Sequence, residues 1–324
     1  MTPAQAEEVL RRGAADMVGM TRALIADPDM PRKAREGRDA DIRICMGTSE
    51  GCIDRLYMGL PIGCVQNPVT GREREWGVLQ KAETARRVVV VGGGPAGMEA
   101  ARVAAERGHA VTLFERSDQL GGAIRIASRA PGWEAYAQSV DWLERQLRKL
   151  PVTLQLNQEA TLPLLLDCGA EAVIVATGAR PRRPEIHGVH QPHVHTVADV
   201  LAGRAEIKGR CVILDETGYT PGPKVADLLS SAGHAVEFVT WQYSLGEDIG
   251  TTVRAKLYER LLRQGVMVTT LAQPIAIGED SVTLRHMLTE SVWQIAADTV
   301  IVSASGHAQD ELYHALHEAW QGTT

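Results

Sequence analysis

The 324-residue sequence predicts an α/β fold with two mostly parallel, doubly wound sheets. Strand-like apolar segments alternate with helical segments along most of the chain, and a tight glycine turn directly follows the four valines at residues 88–91. Hydrophobic residues make up 44% of the chain, which is enough for a large core. Alternation of this kind favours parallel strands that are covered on both faces by helices.

Charge and hydropathy exclude several classes of partner. The net charge is −6 and the chain has no long basic run, so we expect no nucleic acid and no membrane surface as partners. No run of about eighteen apolar residues is present, and the first residues lack the charged-then-apolar pattern of a signal peptide. A cytoplasmic location is the expectation. Cysteines in that reducing location serve more often as ligands or core residues than as disulfides.

Three regions follow one another along the chain. Residues 1–42 read as helix, strand and helix, with the strand at residues 15–20. A lone parallel strand needs neighbours on both edges, so this region looks like the end of a larger α/β unit. Residues 43–80 hold three cysteines and show little periodicity, as expected of a loop-rich ligand segment. From residue 81 the order is strand, glycine turn, helix and strand, and residues 208–270 repeat this plan more loosely.

The turn after the valines matches the pattern G-x-G-x-x-G. Gly92 permits the tight turn, Gly94 lets the backbone approach a pyrophosphate, and Gly97 lets helix and strand pack closely. Pro95 and Ala96 open the helix, whose N-terminus would face the phosphates. The pattern therefore predicts a dinucleotide site, and the alternative is a glycine-rich turn without a ligand.

Residues after the next strand extend this predicted site. Glu115 ends that strand and would accept hydrogen bonds from the ribose hydroxyls of an adenosine. Arg116 beside it would soften the repulsion between Glu115 and a 2′-phosphate. Gly121 and Gly122, in the segment QLGG, stand where flavoproteins with two dinucleotide domains carry a second glycine turn.

A later strand ends in the segment ATG, formed by Ala176, Thr177 and Gly178. This segment looks like the ATG return strand of the same flavoproteins. Together with QLGG, it resembles the flavoprotein domain of the pyridine nucleotide-disulphide oxidoreductase type. The resemblance implies FAD as the cofactor of the first glycine turn, or ADP in its place, rather than NAD.

A second resemblance rests on Cys45, Cys52 and Cys64. Their spacing resembles that of old-yellow-enzyme-like oxidoreductases with FMN, an iron–sulfur cluster and a C-terminal flavin or ADP domain. Members are of the 2,4-dienoyl-CoA reductase, trimethylamine dehydrogenase and N-methylproline demethylase type. The family has a fourth cysteine, and Thr48 stands at its position. The resemblance implies a cluster, 4Fe–4S in preference to 3Fe–4S, while zinc or thiols without metal are the alternatives.

The same resemblance covers the first region. In the family a G-M-x-R segment closes the FMN barrel, and Gly19 and Arg22 match it. The first seven βα units of such a barrel have no counterpart in this chain. The resemblance therefore implies that FMN is mostly supplied by a partner, an FMN-binding TIM-barrel subunit.

The second nucleotide-like region has a degenerate turn. It offers only Gly218 and Gly222, and Asp215 and Glu216 stand where the turn would approach a phosphate. Two carboxylates there would repel a pyrophosphate. NAD(P)H is therefore not expected as a cofactor. In this respect the region resembles the amine-dehydrogenase and demethylase branch of the family.

These observations combine into one predicted fold. We expect a Rossmann-like FAD-binding domain with an inserted second nucleotide-binding-like α/β domain, preceded by the last βα unit of a TIM barrel and a cysteine-rich segment. The predicted boundaries are 1–42, 43–80, 81–200, 201–290 and 291–324. The two remaining cysteines, Cys168 and Cys211, sit in apolar surroundings and are predicted to be small buried core residues.

The predicted function is that of the electron-transfer part of a flavin and iron–sulfur oxidoreductase. It would dehydrogenate or N-demethylate a small methylated amine. Electrons would pass from FMN through the cluster to FAD or to an electron-transfer protein as acceptor. An NAD(P)H-dependent enoate reductase and a non-catalytic ADP- or FAD-binding scaffold are the alternatives. No catalytic residue is identified in the chain, because the chemistry would belong to the cofactors.

Overall fold

The structure is a computed structural model that describes residues 2–321. Its first half runs from short N-terminal helices into a parallel αβ arrangement. In chain order the elements are α1 (Pro3–Arg11), α2 (Thr21–Ala26), α3 (Met30–Arg35), a 3-10 turn (Asp39–Asp41), α4 (Ile53–Tyr57), α5 (Glu73–Trp76), β1 (Arg87–Val91), α6 (Pro95–Glu106), β2 (Ala110–Phe114), α7 (Ala123–Ala127), α8 (Ala135–Leu147), β3 (Val152–Gln155), α9 (Leu162–Asp167) and β4 (Ala172–Val175).

The second half contains more strands and ends on a helix. Its elements are β5 (Ala179–Pro181), β6 (Val194–Thr196), α10 (Val197–Leu201), β7 (Cys211–Asp215), α11 (Pro221–Ser231), β8 (Val236–Thr240), α12 (Thr251–Arg263), β9 (Met267–Thr269), β10 (Ala272–Ile277), β11 (Ser281–His286), β12 (Val292–Ala296), β13 (Thr299–Ser303), β14 (Gly306–Ala308) and α13 (Glu311–Gln321). None of the helices in residues 2–321 is long and apolar enough to span a membrane.

The chain divides into two units. The first holds the residues up to Arg125, Ala135–Gly178 and the described residues from Ala308 onward, and the second holds Ile126–Glu134 and Ala179–His307. The sequence placed the boundaries of the inserted domain at residues 201 and 290 instead. The second unit extends beyond both positions, to Ala179 and His307. The reason is that β6 and β13 pair with each other, and β13 pairs with β7, inside the sheet of this unit.

The first unit is built on a parallel sheet with the strand order β3-β2-β1-β4. β1 reads as an unbroken apolar run because its valines are covered on both faces, and four of its five residues are buried. Helix α6 packs on this sheet through Met98, Ala101 and Ala105, which recur at helical spacing and are buried. The mostly parallel fold predicted from the sequence is confirmed here.

Strand register determines which residues meet at the edge of this sheet. Val91 pairs with Phe114 of β2 and with Val175 of β4. The chain therefore leaves β1, β2 and β4 at one edge, and the residues that follow these three strands come together. This edge holds the glycine turn, the acidic residue and the ATG segment.

The strand predicted at residues 15–20 is wrong. These residues form no regular element, and the side chain of Met17 is 85% exposed. A parallel strand forms only beside hydrogen-bonding neighbours, and none pairs with this segment within residues 2–321. The surrounding helices keep a small core of Ala23, Met30 and Ile42.

The second unit contains a parallel sheet with the order β6-β13-β7-β8-β9 and an antiparallel sheet with the order β10-β11-β12. All residues of β7, β8 and β13 are buried. Cys211 lies in this core, and burial raises the pKa of its thiol to about 11, as expected of a core residue. The prediction that Cys168 is buried is wrong, because this residue caps the short helix α9 at the surface.

Candidate functional site

The glycine turn after β1 contains two positions where only glycine fits. Gly92 has a φ of +106°, and a β-carbon there would overlap the carbonyl oxygen of Ala176. A β-carbon on Gly97 would overlap the carbonyl oxygen of Gly92. The first turn of α6 therefore lies against the end of β1 at a distance that no side chain allows.

The third glycine of the pattern has the opposite environment. A β-carbon built on Gly94, the N-cap residue of α6, would meet nothing within 4 Å. Gly94 has no side chain to cap the helix, and Pro95 at the first position has no N–H. The first turn of α6 therefore has no side-chain cap, and Ala96 within it is exposed. A 12-residue helix with no side-chain cap, and with no protein atom near the β-carbon position of its N-cap residue, fits a phosphate.

Glu115 follows β2 and is turned toward this glycine turn. Its Oε2 accepts the Gly93 N–H at 2.7 Å, and its Oε1 accepts the Ser117 N–H at 2.8 Å and the Ser117 hydroxyl at 2.7 Å. The side chain is only 9% exposed, whereas Arg116 is exposed. A carboxylate offers about four lone-pair sites, so Glu115 keeps one for a sugar hydroxyl. Its bond to Gly93 is a structural role that sequence reasoning missed.

The second glycine turn lies directly against the first. The Gly121 N–H donates to the carbonyl oxygen of Gly93 at 2.8 Å, and a β-carbon on Gly122 would lie 3.3 Å from Gly94 Cα. Both glycines have positive φ values, +116° and +51°. The segment QLGG and the segment GGGPAG therefore form one continuous glycine-rich surface.

The ATG segment closes the other side. The Ala176 N–H donates to the Val91 carbonyl oxygen at 2.8 Å, which continues the β4 ladder past the turn. Gln309 then binds this segment twice, because its side-chain amide donates to the Thr177 carbonyl oxygen at 2.9 Å and its backbone N–H to the Gly178 carbonyl oxygen at 2.9 Å. The Thr177 hydroxyl also donates to the Gln309 carbonyl oxygen. Sequence reasoning missed Gln309, since no local pattern links residues 132 positions apart.

A cavity of about 400 Å³ opens beside the first turn of α6. Pro95, Ala96 and Cys64 lie in its lining, together with the side chains of Arg43 and Trp142. It therefore brings the start of the dinucleotide-type helix and one of the three predicted cysteine ligands to the same space. A volume of this size suits part of a cofactor rather than an ion.

The buried side chain of Arg43 lines this cavity. The Arg43 guanidinium lies 4.1 Å from the centre of the Trp142 ring and donates to the Gln66 carbonyl oxygen at 2.6 Å. Burial lowers the pKa of Arg43, while Glu99 at 3.7 Å opposes that shift. Trp142 is 7% exposed and donates its Nε1–H to the Asp41 carbonyl oxygen at 2.9 Å.

The cysteine segment brings two of its three thiol-bearing residues near each other. The Gly63 N–H donates to the Gly51 carbonyl oxygen at 2.8 Å, and a β-carbon on Gly51 would lie 3.0 Å from Cys64 Cα. The loop with Cys52 therefore packs on the loop with Cys64. Cys45, Cys52 and Cys64 are all half-buried and free of disulfides.

These cysteines do not form a metal-binding group as they stand. No group of three His, Cys, Asp or Glu residues within residues 2–321 is arranged to hold a metal ion. Thr48 is half-buried, and the next residue, Ser49, has a φ of +66° that is strained for a residue with a side chain. Among residues 2–321 the three thiols are therefore not gathered into one ligand group, although two of their loops are in contact.

The two residues of the predicted FMN segment lie on the surface. Gly19 and Arg22 are both exposed, and Gly19 has no atom within 4 Å of the position of a β-carbon. Neither residue contributes to the glycine-rich surface.

The turn after β7 has lost the geometry of the first turn. Five residues, 216–220, separate β7 from α11, whereas only residues 92–94 separate β1 from α6. Asp215 is 4% exposed, and its Oδ2 accepts the Gly218 N–H at 2.9 Å. Burial raises the pKa of Asp215, although hydrogen bonds from Ser303 and Thr217 oppose that shift.

Comparisons with known proteins agree with the family resemblance that the motifs indicated. Residues 86–321 match the family described as pyridine nucleotide-disulphide oxidoreductase. The chain is 36% identical over 329 residues to an N,N-dimethylglycine/sarcosine dehydrogenase of Chromohalobacter salexigens, covering 98% of this chain and 47% of that protein. It is 37% identical over 241 residues to a cinnamate reductase of Clostridium sporogenes, covering 74% of this chain and 35% of that protein.

A solved structure is similar to this chain over almost all of its length. The 6-hydroxypseudooxynicotine amine oxidase of Pseudomonas geniculata superposes with a TM-score of 0.93 at 31% identity, over 99% of this chain and 50% of that one. The chain thus spans half or less of the length of these relatives.

Proposed function

Because the chain belongs to the pyridine nucleotide-disulphide oxidoreductase family, we propose that it is the FAD-binding, electron-transfer part of a flavin-dependent oxidoreductase. The observation that carries this proposal is the open space at Gly94, set between two positions, Gly92 and Gly97, that hold helix and strand in contact. This is the geometry that lets backbone amides approach a pyrophosphate. ADP at the same turn is the smaller ligand of the same chemistry.

The residues of the turn have separable tasks in this proposal. The open first turn of α6 binds the diphosphate through backbone N–H groups, and Glu115 accepts a ribose hydroxyl while it holds Gly93 in place. Gln309 keeps the ATG segment beside the turn. The flavin ring would supply the electron-transfer chemistry when bound, and the chain supplies its position and surroundings.

The substrate class in this proposal is a small methylated amine. It is supported by the similarity to a dimethylglycine/sarcosine dehydrogenase and to a solved amine oxidase, each about twice as long as this chain. An FMN-binding TIM-barrel partner would bind the amine and oxidise it at its FMN. An electron-transfer protein would be the acceptor, in a cytoplasmic location that keeps the five cysteines reduced.

A cluster on Cys45, Cys52 and Cys64 is a finer part of the proposal. The packing of the Cys52 loop on the Cys64 loop supports it, and the arrangement of the thiols within residues 2–321 does not yet form a ligand group. Iron and sulfide analysis of protein made anaerobically tests it. Less than one iron per chain, in protein that retains its flavin, would remove the cluster from the proposal.

One second function is favoured by a specific observation. The similarity to a cinnamate reductase supports an enoate reductase that consumes NAD(P)H. Against it, the second turn presents the Asp215 carboxylate to the backbone amide of Gly218, where a nucleotide phosphate would need that amide. The amine reaction is therefore the leading proposal.

Two measurements test the proposed function. The purified chain should carry or take up about one FAD or ADP, identified by extraction and chromatography. Copurified with its FMN-binding partner and kept anaerobic, it should lose flavin absorbance on addition of dimethylglycine or sarcosine and should not respond to NADPH. A chain that binds neither FAD nor ADP, or a complex that is bleached by NADPH and reduces cinnamate, would reject this assignment.

A further inference from the structure

A second cavity, of about 710 Å³, lies entirely within the second unit. It opens where β7 and β8 end, because Asp215 is the last residue of β7 and Trp241 directly follows β8. β7 is the strand at which the chain order reverses, with β8 and β9 on one side and β13 and β6 on the other. Open parallel sheets bind ligands outside the carboxyl ends of their strands, at this kind of reversal.

The hydrogen-bond donors of the turn after β7 are not available to a phosphate. The Gly218 N–H is taken by Asp215 Oδ2 at 2.9 Å, and the Thr217 hydroxyl by Asp215 Oδ1 at 2.8 Å. The protein's own carboxylate therefore occupies the donors that an anion would use. Glu185 and Glu216 add two carboxylates to the lining. Of the two arginines there, Arg182 is paired with Glu216 and Arg183 donates to backbone carbonyl oxygens, so a phosphate would meet repulsion as well as occupied donors.

The rest of the lining suits a planar ring. The indole of Trp241 is 48% exposed, and its Nε1–H donates to the Glu216 carbonyl oxygen at 3.3 Å, which ties the ring edge to the turn. The apolar part of the lining is formed by Pro184, Ile186, Leu214, Pro274 and Met287. An aromatic platform with apolar neighbours is what stacks a nucleobase, and stacking tolerates any base.

The charged part of the lining suits hydroxyl groups. Glu216 forms an ion pair with Arg182, so this carboxylate is held in place and is still able to accept further hydrogen bonds. Arg183 donates to the carbonyl oxygens of Val189 at 2.7 Å and Val194 at 3.0 Å, so its guanidinium supports the loop. Carboxylates at the carboxyl edge of a parallel sheet commonly accept hydrogen bonds from a ribose.

We propose that this cavity binds a nucleoside, with its base on Trp241 and its sugar hydroxyls on Glu216, and that Asp215 excludes the phosphorylated forms. The cavity volume lies within the range of small-molecule sites, roughly 300–1,000 Å³. The site is separate from the glycine turn of the first unit and does not depend on the amine reaction. It gives the second unit a ligand of its own.

The test is calorimetric titration with adenosine, AMP and NADPH. Protein saturated with FAD is used, so that the first glycine turn does not contribute. Adenosine should bind, and AMP and NADPH should bind at least about tenfold more weakly, which is the effect of one added unfavourable charge contact. No adenosine binding, or AMP binding as tight as that of adenosine, would overturn the proposal.

Two variants place the ligand. Trp241→Ala should weaken adenosine binding roughly tenfold or more, as expected when a stacked base loses its platform. Tyr243→Ala is the matched control, because Tyr243 is 71% exposed two residues further on and lies outside the cavity lining. Equal affinity in wild type and Trp241→Ala would show that adenosine binds elsewhere and would overturn the assignment.

A third variant tests the exclusion of phosphate. Asp215→Asn removes the buried charge and keeps the side-chain size, so the ratio of adenosine to AMP affinity should fall toward one. Glu216→Gln removes the neighbouring charge from a more exposed side chain and is used if Asp215→Asn does not fold. An unchanged ratio in the variant that folds would contradict the exclusion role.

Discussion

The Gly93 N–H donates a hydrogen bond of 2.7 Å to Glu115 Oε2, across 22 positions of sequence. This bond joins the glycine turn after β1 to the end of β2, and it lies in a buried part of the first unit. The acidic residue of the dinucleotide pattern therefore shapes the turn as well as offering an acceptor to a ribose.

Replacing Glu115 by alanine should destabilise the chain and weaken FAD binding together. The change leaves the buried Gly93 N–H and the Ser117 N–H without their acceptor, whereas the Ser117 hydroxyl can still donate to the Gln119 carbonyl oxygen. An unsatisfied buried donor costs about 1–3 kcal/mol, so we expect a loss of about 2 kcal/mol in the free energy of unfolding. Urea denaturation measures it, with Asp118→Ala, an exposed acid three residues on, as control. Equal stability of the two variants would contradict the role given to Glu115.

The glycine turn allows a pair of variants that separates folding from binding. Gly94→Ala adds a β-carbon into open space, so the chain should fold normally while FAD and ADP affinity falls by about tenfold or more. Gly97→Ala adds one against the Gly92 backbone, so it should lose stability, by about 1–3 kcal/mol, as well as affinity. Fluorescence titration and urea denaturation measure the two effects.

The control for this pair is Gly19→Ala. Gly19 also has open space around its α-carbon and an ordinary φ, and it lies outside the glycine turn. Gly19→Ala should change neither the affinity for FAD nor the free energy of unfolding. If Gly94→Ala behaves like Gly19→Ala, the open space at the helix start is not the pyrophosphate site.

Thr48→Cys tests whether the cysteine segment binds a cluster. Iron prefers thiolate to a neutral hydroxyl, so a fourth thiol should raise the iron retained per chain after anaerobic reconstitution and slow its removal by a chelator. Thr70→Cys, outside the Cys45–Cys64 segment, is the control for an added thiol. Iron retention that rises equally in both variants, or in neither, would argue against a cluster at these cysteines.

Asp199 should make the second unit sensitive to acid. Burial alone would raise the pKa of this carboxyl, but hydrogen bonds from Thr196 and Arg204 outweigh it and hold the pKa below its usual value. A lowered folded-state pKa gives stability that is complete above the unfolded pKa, near ~3.9. That stability is lost as pH falls through the folded pKa.

The measurement is urea denaturation of wild type and Asp199→Ala at pH 7 and near pH 3. Asp199 forms a capping box with Thr196 at the start of α10, so its loss should cost about 1 kcal/mol at pH 7. The difference should shrink at the lower pH. Glu279→Ala, an exposed acid in the same unit, should show no such pH dependence. A difference that stays constant with pH would contradict the assignment.

The sequence by itself determined the parts of this protein that depend on local pattern. Four valines before G-x-G-x-x-G specified a buried strand, a tight turn and a helix, because the positive φ of Gly92 and the contact of Gly97 with the Gly92 carbonyl oxygen both lie within one short stretch of chain. The carboxylates of the degenerate second turn could likewise be read directly from the chain.

Only the tertiary structure decided the remainder. The segment at residues 15–20 has the composition of a strand, yet no strand of the described residues pairs with it and it stays irregular. The contact of Gln309 with Thr177, and the extent of the second unit, follow from strand pairing between distant segments. Backbone hydrogen bonds and close contacts across a sheet join residues far apart in sequence, and no local pattern encodes which segments will meet.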